Sequence, residues 1–89
     1  MLRTSAFVRA AKKVLKVHPN KKDDFRFALD LLATDAFDPR LKTHKLKGVL
    51  TNCWASSVGY EMRIVFKLVE HEGQEAILLM TIGSHEEVY

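Results

Sequence analysis

The run from Met62 to Val69 constrains this chain more than any other stretch. Met62, Ile64, Phe66 and Leu68 alternate with Arg63, Val65 and Lys67. A period of two belongs to a β-strand with one buried row and one outward row, and the outward row here carries Arg63 and Lys67. A polar turn, Glu70-His71-Glu72-Gly73-Gln74, follows. The chain then returns through Ala76 to Ile82, a nearly unbroken apolar run that suits a strand covered at least in part on both sides. That strand is expected to end at Gly83. A core strand that stops at a glycine and is followed by His85 and Tyr89 points to a role beyond packing.

The residues before this hairpin supply its cover. Thr4 or Ser5 can cap a first helix, in which Phe7, Ala11, Val14 and Leu15 fall on one face. Pro19 biases His18 away from helical angles, so the helix should stop near Val17. Asn20 is a suitable cap for a second helix, and Asp23 and Asp24 sit in its first turn, where the helix dipole favours negative charge. Its stripe is Phe25, Leu29 and Leu32, joined by Ala28 and Leu31, and it runs to about Thr34. The short link from Val17 to Asn20 suits a helix hairpin. Asp35 to Lys42 reads as a loop around Asp38-Pro39. In the stretch His44 to Gly48, Gly48 is a turn or bulge candidate. Thr51 to Val58 is a strand candidate with Trp54 as its large side chain, and Gly59-Tyr60 turns into the central strand. A brief strand at Leu2–Thr4 is the weakest signal. The expected architecture is α+β, in the order (β)ααβββ: a helix hairpin on one face of a small antiparallel sheet, with the other face open.

The chain has 89 residues, 47% hydrophobic and 28% charged, which fits one domain spanning 1–89. No apolar run is long enough to cross a membrane as a helix, and Met1-Leu2-Arg3 leads into a polar helical pattern rather than a signal peptide. Cys53 is the single cysteine, with no disulfide partner and no zinc-binding set. A cytoplasmic location is expected, with no membrane partner. Charge is divided unevenly: residues 1–48 hold 12 Lys and Arg against 5 Asp and Glu, a net +7, while residues 49–89 hold 2 against 6, a net −4. A basic half of this size makes a polyanion a plausible partner, although lysine-rich helix faces are also simply solvated. Lys12, Lys13, Lys16, Lys45, Lys47 and Lys67 are the candidates for phosphate contacts.

No phosphate-binding glycine loop, metal-ligand spacing or nucleophile elbow is present, so neither a metal nor a cofactor is expected. His44, Glu61, Arg63, His85 and Tyr89 remain. RNA cleavage without metal needs a base for the 2′-hydroxyl proton, an acid for the leaving 5′-oxygen and a cation for the charge on phosphorus. Histidine titrates near neutrality and serves either proton role, and arginine offers a fixed fork to phosphate oxygens. Each residue also has a plain reading. A loop histidine is usually only exposed, Arg63 can pair with Glu61, and Tyr89 can fray.

The run from His44 to Gly48, then Trp54, then Val58 to Leu68, then Ile82 to Tyr89 resembles the RelE/ParE toxin superfamily, with most likeness to its YafQ-like and RelE/StbE branches. The helix from Phe7 to Pro19 also fits, so the resemblance covers essentially the whole chain. It implies a small toxin of a bacterial type II toxin–antitoxin pair, partnered by a cognate antitoxin. RelE-type members cut messenger RNA without metal, commonly on the ribosome. By this resemblance His44 stands where relatives place a His or Glu active in proton transfer. Arg63 matches the strand arginine that contacts the scissile phosphate, and Glu61 an acidic residue of YafQ-like toxins. His85 matches their C-terminal histidine, and Tyr89 the aromatic residue at the C-terminal end. Three positions depart from the pattern: Ser57 replaces a second histidine, Met62 a tryptophan and Thr81 a basic residue. The resemblance leaves two alternatives open, a ParE-like inhibitor of DNA gyrase and a catalytically degenerate toxin that acts by binding.

Overall fold

The computed structural model describes residues 1–47 and 52–84. Gly48 and Thr51, where a turn and the start of a strand are expected, lie outside these, as do His85 and Tyr89. Two α-helices pack on a five-stranded sheet. The elements run β1 (Leu2–Arg3), α1 (Ser5–Val17), α2 (Lys22–Thr34), β2 (His44–Lys45), β3 (Trp54–Val58), β4 (Met62–His71) and β5 (Gln74–Ser84). The sheet order is β1-β5-β4-β3-β2. Strands β2 to β5 form an antiparallel meander, as the alternation predicts. The weak signal at Leu2 is a real edge strand, paired parallel to Leu78 and Leu79, which makes the sheet mixed. β2 adds a strand beyond the three expected in the second half of the chain.

Thr4 ties this edge together. Its hydroxyl accepts from the Phe7 amide at 3.0 Å and so caps α1. It also lies 2.9 Å from the Leu79 carbonyl as a donor. One side chain thus stops β1, starts α1 and anchors both to β5. α1 ends at Val17 as expected, but Asn20 does not cap α2. Pro19 opens a 3-10 turn over Pro19–Lys21, and Lys21 holds the N-cap position with no side-chain hydrogen bond. The fixed φ of Pro19 starts helical winding one turn early, so Asn20 is already inside a turn and not in the extended conformation a cap needs. Asp23 and Asp24 remain in the first turn of α2, where their charge opposes the helix dipole.

The main core lies between the helices and the sheet. Phe7, Phe25, Ala28 and Leu32 meet Val58, Met62, Ile64, Phe66, Leu79 and Ile82, and the Phe7 and Phe25 rings are 6.1 Å apart. The opposite face is less open than its alternation suggests. Leu46, Cys53, Ala55 and Val65 form a second buried cluster there, with Met80 packed against it. β5 feeds both clusters because the β4–β5 register shifts between Val65 and Phe66: Val65 pairs with Thr81, but Phe66 pairs with Leu79. Met80 is the extra residue of a bulge. Leu79 and Ile82 therefore both reach the helix side although three residues apart, and the apolar run is apolar because both its faces are covered.

Candidate functional site

The register places the candidate residues on faces. Antiparallel partners share a face, so His44, Ala55, Val65 and Thr81 form one cross-strand row. Ser57, Arg63 and Gly83 form the next row on the same face. His44 and Arg63 thus sit on the face away from the helices, two strands and one pair-step apart, about 12 Å between Cα atoms at ordinary strand spacings. A histidine and an arginine side chain reaching from such positions can engage one phosphodiester between them. Gly83 does not end β5, which continues to Ser84.

Arg63 is half-buried. Its Nη1 donates to the Met62 carbonyl at 2.9 Å and to the Tyr60 carbonyl at 3.3 Å. The Tyr60 carbonyl belongs to the turn between β3 and β4, where Gly59 holds φ +60, and the Met62 carbonyl to the first residue of β4. The Glu61 pairing that a plain reading of Arg63 suggests is not formed, and among the described residues no carboxylate makes an ion pair with this guanidinium. The cation is oriented by neutral carbonyls and keeps its full charge for an anion. Glu61 itself is exposed in the turn. It faces a cavity of about 470 Å³ that Lys13, His18 and Ser84 also line.

His44 is exposed, and its Nδ1 lies 3.2 Å from the Lys42 carbonyl. Lys42 has φ 51 and ψ 39, a left-handed conformation uncommon for a residue other than glycine. The loop before it is organised by Asp38. That carboxylate accepts from the Arg40 amide at 2.9 Å and grips the Arg40 guanidinium with contacts of 3.0 Å. Hydrogen bonding from Arg40 holds the Asp38 carboxyl below its usual range and raises the Arg40 guanidinium.

The lysines do not gather. Lys67 shares the face of Arg63, paired with Leu78. Lys45 lies on the helix side, opposite Trp54, with its Nζ 6.0 Å from the centre of that ring, and Lys47 is exposed after β2. Lys12, Lys13 and Lys16 are exposed on α1, across the sheet from Arg63. Pattern reading alone does not reveal Lys42, Thr43 or Ser56 as part of the surroundings of His44. The left-handed angle at Lys42 has no residue-type signal, and the hydroxyl of Thr43, just before β2, meets that of Ser56 on β3 only once the register is known. Among the described residues no three His, Cys, Asp or Glu side chains gather as a metal site, and no helix is long and apolar enough to cross a membrane.

No family model and no curated protein matches the chain. Solved structures do. YafQ from E. coli strain BL21(DE3) superposes with a TM-score of 0.77 at 16% identity, covering 99% of this chain and 94% of that one. The YoeB/ParE toxin from Agrobacterium tumefaciens gives 0.75 at 13% identity, covering 94% of this chain and 96% of that one. A copper-bound mutant toxin from Helicobacter pylori gives 0.73 at 22% identity, covering 99% and 96%. Two helices packed on a five-stranded mixed sheet are the RelE-like fold that this chain shares with YafQ and the YoeB/ParE toxin.

Proposed function

We propose that this chain is the toxin of a type II toxin–antitoxin pair, and that it acts as a metal-independent endoribonuclease on messenger RNA at the ribosome in the cytoplasm. The observation that carries the reading is Arg63: a cation held by two backbone carbonyls, with no ion-paired carboxylate among the described residues, on the same sheet face as His44. A cation that merely stabilises a sheet would be expected to pair with the nearby Glu61. The likeness of the chain to YafQ, and the existence of an E. coli DinJ–YafQ toxin–antitoxin complex with the same fold in its toxin, support the biological setting. In this reading a cognate antitoxin masks the site, and the net +7 of residues 1–48 suits an acidic partner.

The chemistry is one transesterification. A base takes the 2′-hydroxyl proton, the 2′-oxygen forms a bond to phosphorus, and the bond from phosphorus to the 5′-oxygen breaks as an acid protonates that oxygen. The products are a 2′,3′-cyclic phosphate and a 5′-hydroxyl. Arg63 stabilises the charge that develops on the phosphoryl oxygens. His44 and His85 share the two proton roles, Tyr89 orients the phosphate or stacks on a base, and Glu61 completes the acidic side of the site. Lys67 extends the anion-binding face.

The test is to express the parent, Arg63→Ala, His85→Ala and a Tyr89 deletion, and to measure growth arrest, RNA product ends and melting temperature together. Each variant should lose at least ~100-fold in cleavage, the low end of what positioned acid–base groups contribute, with little change in melting temperature. A 3′-hydroxyl product, or growth arrest through loss of gyrase supercoiling with RNA intact, would overturn the proposal.

A further inference from the structure

We propose that Thr43 and Ser56 are positioning residues that fix the tautomer of His44 and aim its Nε2 outward as the base nitrogen; the base role rests on the nuclease reading above, whereas the positioning does not. Among the described residues Ser56 is the polar one that is buried, 0% exposed. Its hydroxyl lies 2.6 Å from that of Thr43, and the Thr43 hydroxyl lies 2.6 Å from the Ala36 carbonyl. A carbonyl only accepts, so the Thr43 proton is committed to Ala36, and Ser56 must be the donor to Thr43. The result is a directed chain, Ser56 to Thr43 to Ala36, with every proton assigned. Such chains polarise one another and hold more firmly than isolated bonds.

The chain sits where β2 needs it. β2 is only two residues long and lies at the sheet edge. The pairs His44 with Ala55 and Lys45 with Trp54 place Thr43 opposite Ser56 when the register is continued by one residue. Thr43 therefore faces inward and His44 outward, as neighbours on a strand must. An inward latch at position 43 fixes the backbone from which the outward ring springs. On the other side of Thr43, the left-handed backbone of Lys42 turns its carbonyl toward the ring, 3.2 Å from Nδ1. By the same rule that carbonyl accepts, so Nδ1 carries the hydrogen. In the neutral imidazole the basic lone pair is then on Nε2. Three consecutive residues thus act together, because Lys42 sets the tautomer, Thr43 anchors the strand and His44 presents the base.

Nitrogen-15 NMR of the histidine rings reads the tautomer without any reference to activity. The parent should show His44 with the hydrogen on Nδ1. Thr43→Val keeps the side-chain shape and removes the hydroxyl, and it should shift His44 toward the Nε2-protonated form. It should also lower the turnover of RNA cleavage by about 100-fold, the low end of a positioned general base, with KM little changed. Thr43→Ser restores the hydroxyl and should rescue both readouts. The double variant Thr43→Val with Ser56→Ala leaves no buried donor stranded, and should show the same tautomer shift in a stably folded protein. A parent with the hydrogen on Nε2, or a tautomer unmoved in both variants, would overturn the proposal. A parent that shows the Nδ1 form and loses it in the variants, yet cleaves no RNA, would uphold the positioning and overturn the nuclease reading instead.

Discussion

Replacing Gly59 by alanine separates two kinds of strain at the turn that orients Arg63. Gly59 has φ +60, and a Cβ built on it would lie 2.7 Å from Asp24 Oδ2 and 3.3 Å from Asp24 Cγ. A non-glycine residue in this region costs roughly 1–2 kcal/mol. The offsetting gain in unfolded-state entropy, about 0.4–1 kcal/mol, accrues only where the native angles suit alanine, and here they do not. The close contact is with the end of an exposed side chain, and pushing that side chain off its rotamer adds about 1 kcal/mol. All three atoms nearest the new Cβ belong to the Asp24 side chain, so truncating that side chain relieves the contact and leaves only the backbone cost. Gly59→Ala should therefore destabilise by about 2–3 kcal/mol, lowering the melting temperature by about 10–20 °C in a domain of this size. Asp24→Ala should cost about 0.3–1 kcal/mol through its place at the helix N-terminus. The double variant should cost about 1 kcal/mol less than the sum of the singles. Urea denaturation of the four proteins closes the cycle. Additivity within ~0.5 kcal/mol, or a Gly59→Ala variant as stable as the parent, would refute the argument that Asp24 braces this turn.

Other expected outcomes concern the core, the face that carries Arg63 and Lys67, and acid stability. Phe66→Ala removes a side chain that is 0% exposed at the centre of the main cluster; it should cost about 3–5 kcal/mol, while Phe27→Ala, 52% exposed, should cost far less, as urea midpoints at unchanged slope would show. Lys67→Ala should reduce the slope of log K against log salt for binding of single-stranded RNA by about 0.7, whereas Lys12→Ala, across the sheet, should leave that slope for a short RNA unchanged; titrations at several salt concentrations decide it. Because Asp38 has its carboxyl held below the usual value of 3.8, its contribution is present above that value and is lost as pH falls through the lower folded value. Asp38→Asn should therefore be less stable than the parent at neutral pH, with the difference vanishing in strong acid, as denaturation midpoints against pH would show.

The hairpin of β4 and β5 is legible because its periodicity is a direct image of its geometry. Met62, Ile64 and Phe66 repeat at the spacing of one strand face and reach the helices as that spacing predicts. Legibility fails wherever a single residue breaks a period. Met80 bulges out of the β4–β5 ladder, so the sequence around it looks uniformly apolar, and nothing in the run itself marks where the faces exchange. β2 is too short for any period, and its face is fixed only by pairing with Ala55 and Trp54. Asn20 has the right chemistry for a helix cap, but Pro19 has already committed the backbone to a turn. Local propensity and tertiary placement agree at Thr4, which caps α1, because there the capping hydroxyl also reaches Leu79.

Charge and register point to different parts of the molecule. The net +7 of the first half suggests an anion-binding surface along α1, where Lys12, Lys13 and Lys16 are exposed. Register puts Arg63 and His44 on the face that α1 does not cover. The exposed lysines of α1 therefore lie on the other side of the sheet from Arg63. The α1 lysines can raise the local concentration of a large polyanion from the face opposite Arg63. A short single strand bound at Arg63 should thus feel little of the helix charge, while a particle large enough to wrap the edge of the sheet should feel all of it. Net charge states what the chain attracts; the alternation of side chains across β3, β4 and β5 states where the attracted group can be held next to a histidine.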